Sequence, residues 1–169
     1  MTLRIAILTV SDRAAAGERA DASGPALSHL VQANGWQVVR LEIVPDDQKM
    51  IENTLAAWAD EGKDNLILTT GGTGFSRRDV TPEATLAVIE RQAPGLAEAM
   101  RAVSLQATPH AMLSRAVAGI RGSTLIVNLP GSPKAAVENL QVILPILGHA
   151  VQLLTDDPDA ESGHCIPKL

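Results

Sequence analysis

Short apolar segments alternate along the chain with polar or amphipathic ones. Uninterrupted runs of Leu, Ile and Val are typical of strands that are buried on both faces of a sheet, whereas strict alternation is typical of half-buried strands. Residues 36–44 show the alternation and predict one strand. Uninterrupted runs predict buried strands at residues 3–10 and 65–70, and residues 123–130 predict a last strand.

Helix signals lie between these strands. The Ser-Gly-Pro sequence at residues 23–25 predicts a helix start, and Gly35 predicts the end of that helix. A second helix ends near residue 62, and either Asp46 or Asp47 can cap its start.

Three further helices are predicted in the second half of the chain. Thr81 is placed to cap one of them, with Pro82 in its first turn. Residues 94–106 predict another helix. Residues 131–154 predict a long closing helix, which Pro145 is expected to kink or divide.

The alternation of strands and helices predicts an α/β fold, with a mainly parallel central sheet covered on both faces. We expect one domain at residues 1–155, followed by a polar, loose C-terminal tail at residues 156–169. The polar segment 11–24 predicts a flexible loop, and no second domain fits the remaining sequence.

Composition excludes several classes of protein. Aromatic residues make up only 2% of the 169 residues, so a stacking surface for single-stranded nucleic acid is not expected. The net charge of −5 also disfavours nucleic acid and anionic membranes as partners. The lone Cys165 gives neither an internal disulfide nor a Cys-rich metal site. Without a signal-peptide pattern or an apolar run of membrane-spanning length, a cytoplasmic protein is predicted.

Three chemically unusual segments follow predicted strands: residues 11–13, 71–74 and 128–134. In an open α/β sheet, ligands bind at the carboxyl ends of the strands. These segments are therefore predicted to meet at one binding site.

The glycine segment "GGTG" at residues 71–74 lacks the lysine of a phosphate-binding P-loop and the third glycine of a dinucleotide fingerprint. Its backbone amides could still form an anion-binding nest, and Thr70 and Thr73 add hydroxyl donors. Taken alone, the segment fits a simple turn between strand and helix equally well.

The charged residues that follow the glycine segment favour a phosphate-binding site. Arg77 and Arg78 could bind a polyphosphate, and Asp79 could hold Mg²⁺ beside it. An ion pair for Asp79 and a solvated arginine pair are the alternatives. Asp46 is either a helix cap or a site residue, and Ser132 either caps a helix or helps to bind an anion there.

The sequence gives less support to a histidine metal site or a serine hydrolase. The four histidines lack the spacing of metal ligands. No G-x-S-x-G nucleophile motif occurs, which disfavours a serine hydrolase.

Several motifs together resemble one known family. "TVSDR", "VPDD", "LTTGGTGFSRRDVTPEAT", "MLSRAVAGIRGSTLIVNLPGSPKA" and "LPILGHAVQLL" occur in the order found in the molybdopterin adenylyltransferases. This is the MogA/MoaB family, which includes the G domain of gephyrin, and the resemblance runs from about residue 3 to 155. It implies a three-layer α/β/α fold and usually a homotrimer.

The same resemblance implies a nucleotidyltransferase of molybdenum cofactor biosynthesis. Such enzymes bind molybdopterin and Mg-ATP, transfer AMP to the terminal phosphate of molybdopterin, and release pyrophosphate. The adenylyl-molybdopterin then passes to a molybdate-inserting enzyme. The alternative is a non-catalytic molybdopterin carrier of the MoaB type, in which the aspartates would be structural.

The resemblance also implies roles for individual residues of these motifs. Asp46 and Asp79 are the expected catalytic residues and Mg²⁺ ligands, and Asp47 is a weaker substitute for Asp46. The expected residues for binding molybdopterin and nucleotide are Ser11, Asp12, Thr70, Gly71, Gly72, Thr73, Gly74, Arg78, Ser114, Asn128, Pro130, Gly131 and Ser132.

Overall fold

The structure, a computed structural model, describes residues 2–158 and 160. Six strands form one sheet: β1 Arg4–Val10, β2 Gln37–Val44, β3 Leu66–Thr70, β4 Arg91–Gln92, β5 Ala118–Arg121 and β6 Thr124–Leu129. Six α-helices surround it: α1 Asp12–Ala15, α2 Ser23–Ala33, α3 Gln48–Asp60, α4 Thr81–Val88, α5 Pro94–Ala107 and α6 Pro133–Leu154. A 3-10 helix at Pro109–Leu113 links α5 to β5. The predicted tail lies mostly outside the described residues, as does Cys165.

The sheet has the strand order β2-β1-β3-β6-β5-β4. Strands β2, β1, β3 and β6 are parallel neighbours, whereas β5 is antiparallel to both β6 and β4. Strands β3 and β6 are buried along their whole length, and β1 is buried after Arg4. The predicted α/β class with a mainly parallel sheet is confirmed.

Two apolar clusters show the layering of the fold. Alternate residues of β1 divide between them, with Ile5 and Ile7 on one face and Ala6 and Leu8 on the other. Helices α2, α5 and α6 cover the first face, and α3 and α4 cover the second. Alternate side chains of a parallel strand therefore pack against two helix layers, one on each face of the sheet.

Strands β4 and β5 were not predicted from the sequence. Gly122, with φ of +55°, makes the tight turn between β5 and β6, and Arg121 pairs with Thr124 across it. The missed strands have two and four residues, and such short elements carry too little alternation to be recognised.

The helix caps agree only partly with their predictions. Of the two residues predicted as possible caps of α3, Asp47 caps it by accepting a hydrogen bond from the Met50 amide at 2.8 Å. Thr81 is the first residue of α4 instead of its cap, because its hydroxyl donates to the Gly71 carbonyl oxygen at 2.9 Å. Ser132 occupies the cap position of α6 but makes no side-chain capping bond.

Pro145 does not divide α6, which runs unbroken over 22 residues. Pro145 is exposed, so the carbonyl group that loses its helical partner can be hydrated. By length and composition α6 could cross a membrane. It is a core helix here, because Leu140, Ile143 and Leu147 are at most 1% exposed against the sheet. The predicted flexible loop 11–24 contains the short helix α1 and the first residues of α2.

Candidate active site

The carboxyl ends of β1, β3 and β6 lie side by side, because these strands are neighbours in the sheet. The segments that leave them surround a cavity of about 430 Å³. Eight predicted site residues line it: Ser11, Asp46, Thr70, Gly71, Gly72, Asp79, Gly131 and Ser132. The structure therefore brings together the three segments that the sequence placed at one site.

The start of the glycine loop is held tightly between the other two segments. Gly71 has φ of +103°, and a Cβ added there would lie 2.3 Å from the Val10 carbonyl oxygen. Its amide donates to the Leu129 carbonyl oxygen at 3.2 Å, and the Thr70 hydroxyl donates to the Pro130 carbonyl oxygen at 2.7 Å. No residue with a side chain fits position 71 without moving β1.

Asp46 and Asp79 approach the glycine loop from different segments of the chain. A Cβ built on Gly72 would lie 3.2 Å from Asp46 Oδ1, and one built on Gly74 would lie 2.9 Å from Asp79 Oδ2. Both aspartates are half-buried and line the same cavity. The loop therefore brings two carboxylates, far apart in sequence, to one site.

Burial raises the pKa of Asp46 above its usual value, and the carboxylates of Asp12 and Asp79 raise it further. A hydrogen bond from the Asp12 amide opposes this rise. Like charges close together in a partly buried site favour the binding of a cation between them.

Asp12 and Arg78 form a network that joins three loops. The Asp12 amide donates to Asp46 Oδ2 at 2.8 Å, and the Asp46 amide donates to Asp12 Oδ1 at 2.9 Å. Arg78 donates to the Asp12 carboxylate from Nε at 2.9 Å and from Nη2 at 2.8 Å. The hydrogen bond from Arg78 lowers the pKa of Asp12. Asp12 and Arg78, both predicted binding residues, do not line the cavity. Asp12 holds Asp46 directly, and Arg78 holds the Asp12 carboxylate.

Four other predicted residues line a neighbouring cavity of about 300 Å³: Thr73, Gly74, Ser114 and Pro130. This second cavity also contacts α5, α6 and the 3-10 helix. Thr73 and Gly74 continue directly from Gly71 and Gly72, so the glycine loop separates the two cavities.

Asn128 lines neither of these two cavities. It is fully buried, and its amide nitrogen donates to the hydroxyls of Thr69 at 2.9 Å and Thr85 at 2.8 Å. Its Oδ1 accepts a hydrogen bond from the Val117 amide at 3.3 Å. The structure thus places Asn128 in the framework that joins β3, α4 and β6, instead of at the cavity surface.

The sequence analysis missed one wall of the first cavity, which includes Arg19, Asp21 and Ser23. The Asp21 carboxylate accepts hydrogen bonds from the Thr9 hydroxyl at 2.7 Å and from the amides of Ser23 and Gly24 at 3.0 and 3.1 Å. An Asp two residues before a Ser-Gly-Pro helix start is a signal for such a turn, and it could have located this wall.

The metal-binding capacity of the site rests on two carboxylates. Within residues 2–158 and 160, no group of three or more His, Cys, Asp or Glu side chains could hold a metal ion. Mg²⁺ is commonly bound by one or two carboxylates together with substrate phosphates and water. Asp46 and Asp79 fit that donor set.

The fold and the cavity together define a class of protein. A glycine loop, a helix N-terminus and paired carboxylates at the carboxyl edge of a parallel sheet are typical of α/β proteins that bind phosphate-bearing ligands. A model of the family described as a probable molybdopterin binding domain matches residues 6–149. The chain belongs to this family.

Relatives with known functions support this assignment. The chain is 47% identical over 152 residues to the molybdopterin adenylyltransferase of Escherichia coli strain K12, which covers 89% of this chain and 78% of that protein. It is 49% identical over 141 residues to the molybdopterin adenylyltransferase of Haemophilus influenzae, covering 82% and 72% of the two chains.

Solved structures agree with these relatives. The molybdopterin biosynthesis enzyme MoaB of Thermus thermophilus matches with a TM-score of 0.87 and 51% identity, covering 93% of this chain and 99% of that one. A structure of MogA matches with a TM-score of 0.82 and 38% identity, covering 89% and 99%.

Proposed function

We propose that Asp46 and Asp79 form the reaction centre of this molybdopterin adenylyltransferase, a nucleotidyltransferase of molybdenum cofactor biosynthesis. In the reaction, a terminal phosphate oxygen of molybdopterin forms a bond to the α-phosphorus of ATP. The bond from that phosphorus to the bridging oxygen breaks, and pyrophosphate leaves. The observation that carries the proposal is the placement of two carboxylates at one glycine loop, in a cavity at the sheet edge.

The cavity supplies phosphate-binding groups around these carboxylates. The glycine loop brings backbone groups to the cavity wall, and Arg19 adds a positive charge. Helix α6 begins beside Ser132, so the positive end of its dipole favours an anion there. Phosphoryl-type transfer depends more on positioning and charge neutralisation than on a covalent nucleophile, and this wall provides both.

We propose Mg²⁺ as the metal, held by Asp46 and Asp79. When bound, the ion would offset the negative charge of the ATP phosphates. Asp12 and Arg78 keep the Asp46 carboxylate oriented toward the cavity through the reciprocal amide bonds. Burial is the main cause of the raised pKa of Asp46, and the Asp12 and Asp79 carboxylates add to it; a bound cation would offset the repulsion from those two carboxylates, which supports this role.

The family resemblance also suggests an assembly and a location. We propose a cytoplasmic homotrimer that passes adenylyl-molybdopterin to a molybdate-inserting enzyme. Sedimentation equilibrium would measure the oligomeric state directly, and a monomer at all protein concentrations would contradict the trimer.

The activity itself is tested with purified protein, molybdopterin and Mg-ATP. We expect pyrophosphate and adenylyl-molybdopterin to accumulate in equal amounts. Tight binding of molybdopterin without either product would instead identify a carrier.

A further inference from the structure

Arg115 is bonded to the segment that carries Asp79, although it belongs to neither the predicted site nor the lining of the first cavity. Its Nε donates to the Gly74 carbonyl oxygen at 2.6 Å, and its Nη2 donates to the Asp79 carbonyl oxygen at 2.5 Å. Its Nη1 is ion-paired with Glu83 in the first turn of α4. One guanidinium therefore holds both ends of the segment 74–79 and the helix that follows.

The segment 74–79, which we call the Asp79 loop, is closed by short-range bonds. The Asp79 amide donates to the Ser76 carbonyl oxygen at 2.9 Å, and the Ser76 amide donates to Asp79 Oδ2 at 2.8 Å. The direction of the Asp79 carboxylate thus follows the shape of the loop. That shape depends on what holds the two ends of the loop.

The backbone around Arg115 is itself anchored. The Arg115 amide donates to the Thr73 carbonyl oxygen at 2.9 Å. From α5, Arg101 Nη1 donates to the carbonyl oxygens of Ala116 at 2.9 Å and Ser114 at 3.4 Å. A continuous set of bonds therefore runs from α5 through Arg115 to the Asp79 loop.

The bonds of Arg115 suit a geometric role better than a role in stability. Its side chain is 34% exposed and that of Glu83 is 43% exposed, and ion pairs with this much exposure contribute little to stability. The planar guanidinium, however, reaches two carbonyl groups and a carboxylate at fixed angles, which a lysine ammonium cannot do.

We propose that Arg115 is a positioning residue for adenylyl transfer, which holds the two ends of the Asp79 loop so that Asp79 lies in the cavity beside Asp46. The catalytic part of this inference rests on the proposed function. The mechanical part, that Arg115 holds the loop, does not.

Arg115→Lys is the direct test, and Arg121→Lys is the matched control. Arg121 also binds a carboxylate with two nitrogens, that of Asp60, and donates to the Val88 carbonyl oxygen at 2.9 Å. It makes the same kinds of bond as Arg115, but to α3 and α4 instead of the Asp79 loop. Both variants are compared with the native protein in melting temperature, kcat and KM.

We expect Arg115→Lys to lower kcat by about 100-fold, with KM for ATP and molybdopterin changed less than about threefold, because a displaced Asp79 affects the reaction more than binding. Arg121→Lys should leave kcat within about twofold of the native value, since it holds no site residue. Equal kcat values for the two variants would overturn the proposal.

Amide hydrogen exchange on the free proteins gives a second readout that needs no activity. In Arg115→Lys the amides of Ser76 and Asp79 should exchange faster, while those of β3 keep their native rates. Unchanged exchange in the loop would overturn the mechanical part. If the native protein forms no product, the proposed function fails, and the exchange rates still decide whether Arg115 holds the loop.

Glu83→Gln provides a test if Arg115→Lys fails to fold. It keeps the guanidinium and both carbonyl acceptors but removes the charge that orients Arg115. We expect a smaller fall in kcat, about tenfold, together with faster exchange at Ser76. Native values for both measurements would contradict the proposal.

Discussion

At the scale of single residues, Asp46 and Asp79 differ in what surrounds them. The Asp46 carboxylate accepts from the Asp12 amide and the Asp46 amide donates to the Asp12 carboxylate, whereas the Asp79 carboxylate accepts from the Ser76 amide within its own loop. Asp46 is therefore fixed by a neighbouring loop, and Asp79 by the loop that carries it. Different parts of the chain hold the two carboxylates in place, so a substitution can displace one of them without displacing the other.

Asp46→Asn should lower kcat at least 100-fold, because the remaining carboxylate has to hold the metal and substrate phosphates alone. The measurement is steady-state release of pyrophosphate at saturating substrates. Asp47→Asn is the matched control, since Asp47 is the next residue but caps α3. Asparagine also caps helices well, so turnover should stay within about twofold of native. Loss of turnover in the control alone would assign the role to Asp47.

Gly71→Ala should destabilise the fold by at least about 1–3 kcal/mol, because φ of +103° is strained for alanine and its Cβ would meet the Val10 carbonyl oxygen. Urea unfolding measures the change. Gly95→Ala in α5 is the control, because a Cβ there meets nothing within 4 Å. That change should alter the free energy of unfolding by less than about 0.5 kcal/mol, since Gly95 is exposed in the first turn of α5. Equal effects at both positions would contradict the close approach of residue 71 to β1.

At the scale of elements, local signals predicted most helices and strands and some of their ends, but not the bonds that join an element to a distant part of the chain. Gly35 ends α2 as predicted, with φ of +75°. The Thr81 hydroxyl, however, binds the carbonyl oxygen of Gly71, ten residues earlier, instead of capping α4. Such a partner is set by the packing of the glycine loop against α4, and sequence spacing contains no information about it.

Glu61, which directly follows the last residue of α3, should make the stability of the fold depend on pH. Arg40 donates to Glu61 at 2.6 Å, and with Lys63 it lowers the pKa of Glu61 from 4.5 to about 2. A carboxyl with a lowered folded-state pKa stabilises the fold above its unfolded pKa and loses that effect as pH falls toward the folded one. The stabilising effect of Glu61 should thus be complete above pH 4.5 and vanish near pH 2.

Glu61→Gln tests this dependence through urea unfolding at several pH values. The free energy of unfolding of the native protein should exceed that of the variant above pH 4.5, and the two should converge near pH 2. Glu98→Gln in α5 is the control, because the described structure gives Glu98 no ion pair. A pH-independent difference for Glu61→Gln would show that its ion pairs do not cause the effect.

At the scale of the whole molecule, the order of the strands creates the site. The predicted segments after β1, β3 and β6 meet because these strands are neighbours, and the alternation of strands with helices was enough to predict a mainly parallel sheet. The antiparallel β4 and β5 were missed, since they are too short to show a pattern. Partners such as Arg78 for Asp12, 66 residues apart, arise only when the loops are brought together.

The division of the predicted binding residues between two cavities also belongs to this scale. Sequence motifs placed Gly71 and Thr73 in one group, but the chain crosses from one cavity to the other between them. Asn128 lies between β3, β6 and α4, where hydrogen bonds to Thr69 and Thr85 use its amide. A sequence motif identifies residues that lie near one another in the chain. Only the folded structure shows which of these residues face a cavity and which support its walls.

We propose that the paired carboxylates at the glycine loop support adenylyl transfer. The most direct measurement is formation of adenylyl-molybdopterin from saturating Mg-ATP and molybdopterin, by the native protein and by Asp79→Asn, with molybdopterin binding measured on both. We predict product from the native protein, and at least a 100-fold lower kcat in the variant, about 2.7 kcal/mol of barrier, with molybdopterin still bound. Native turnover in Asp79→Asn would contradict the claim.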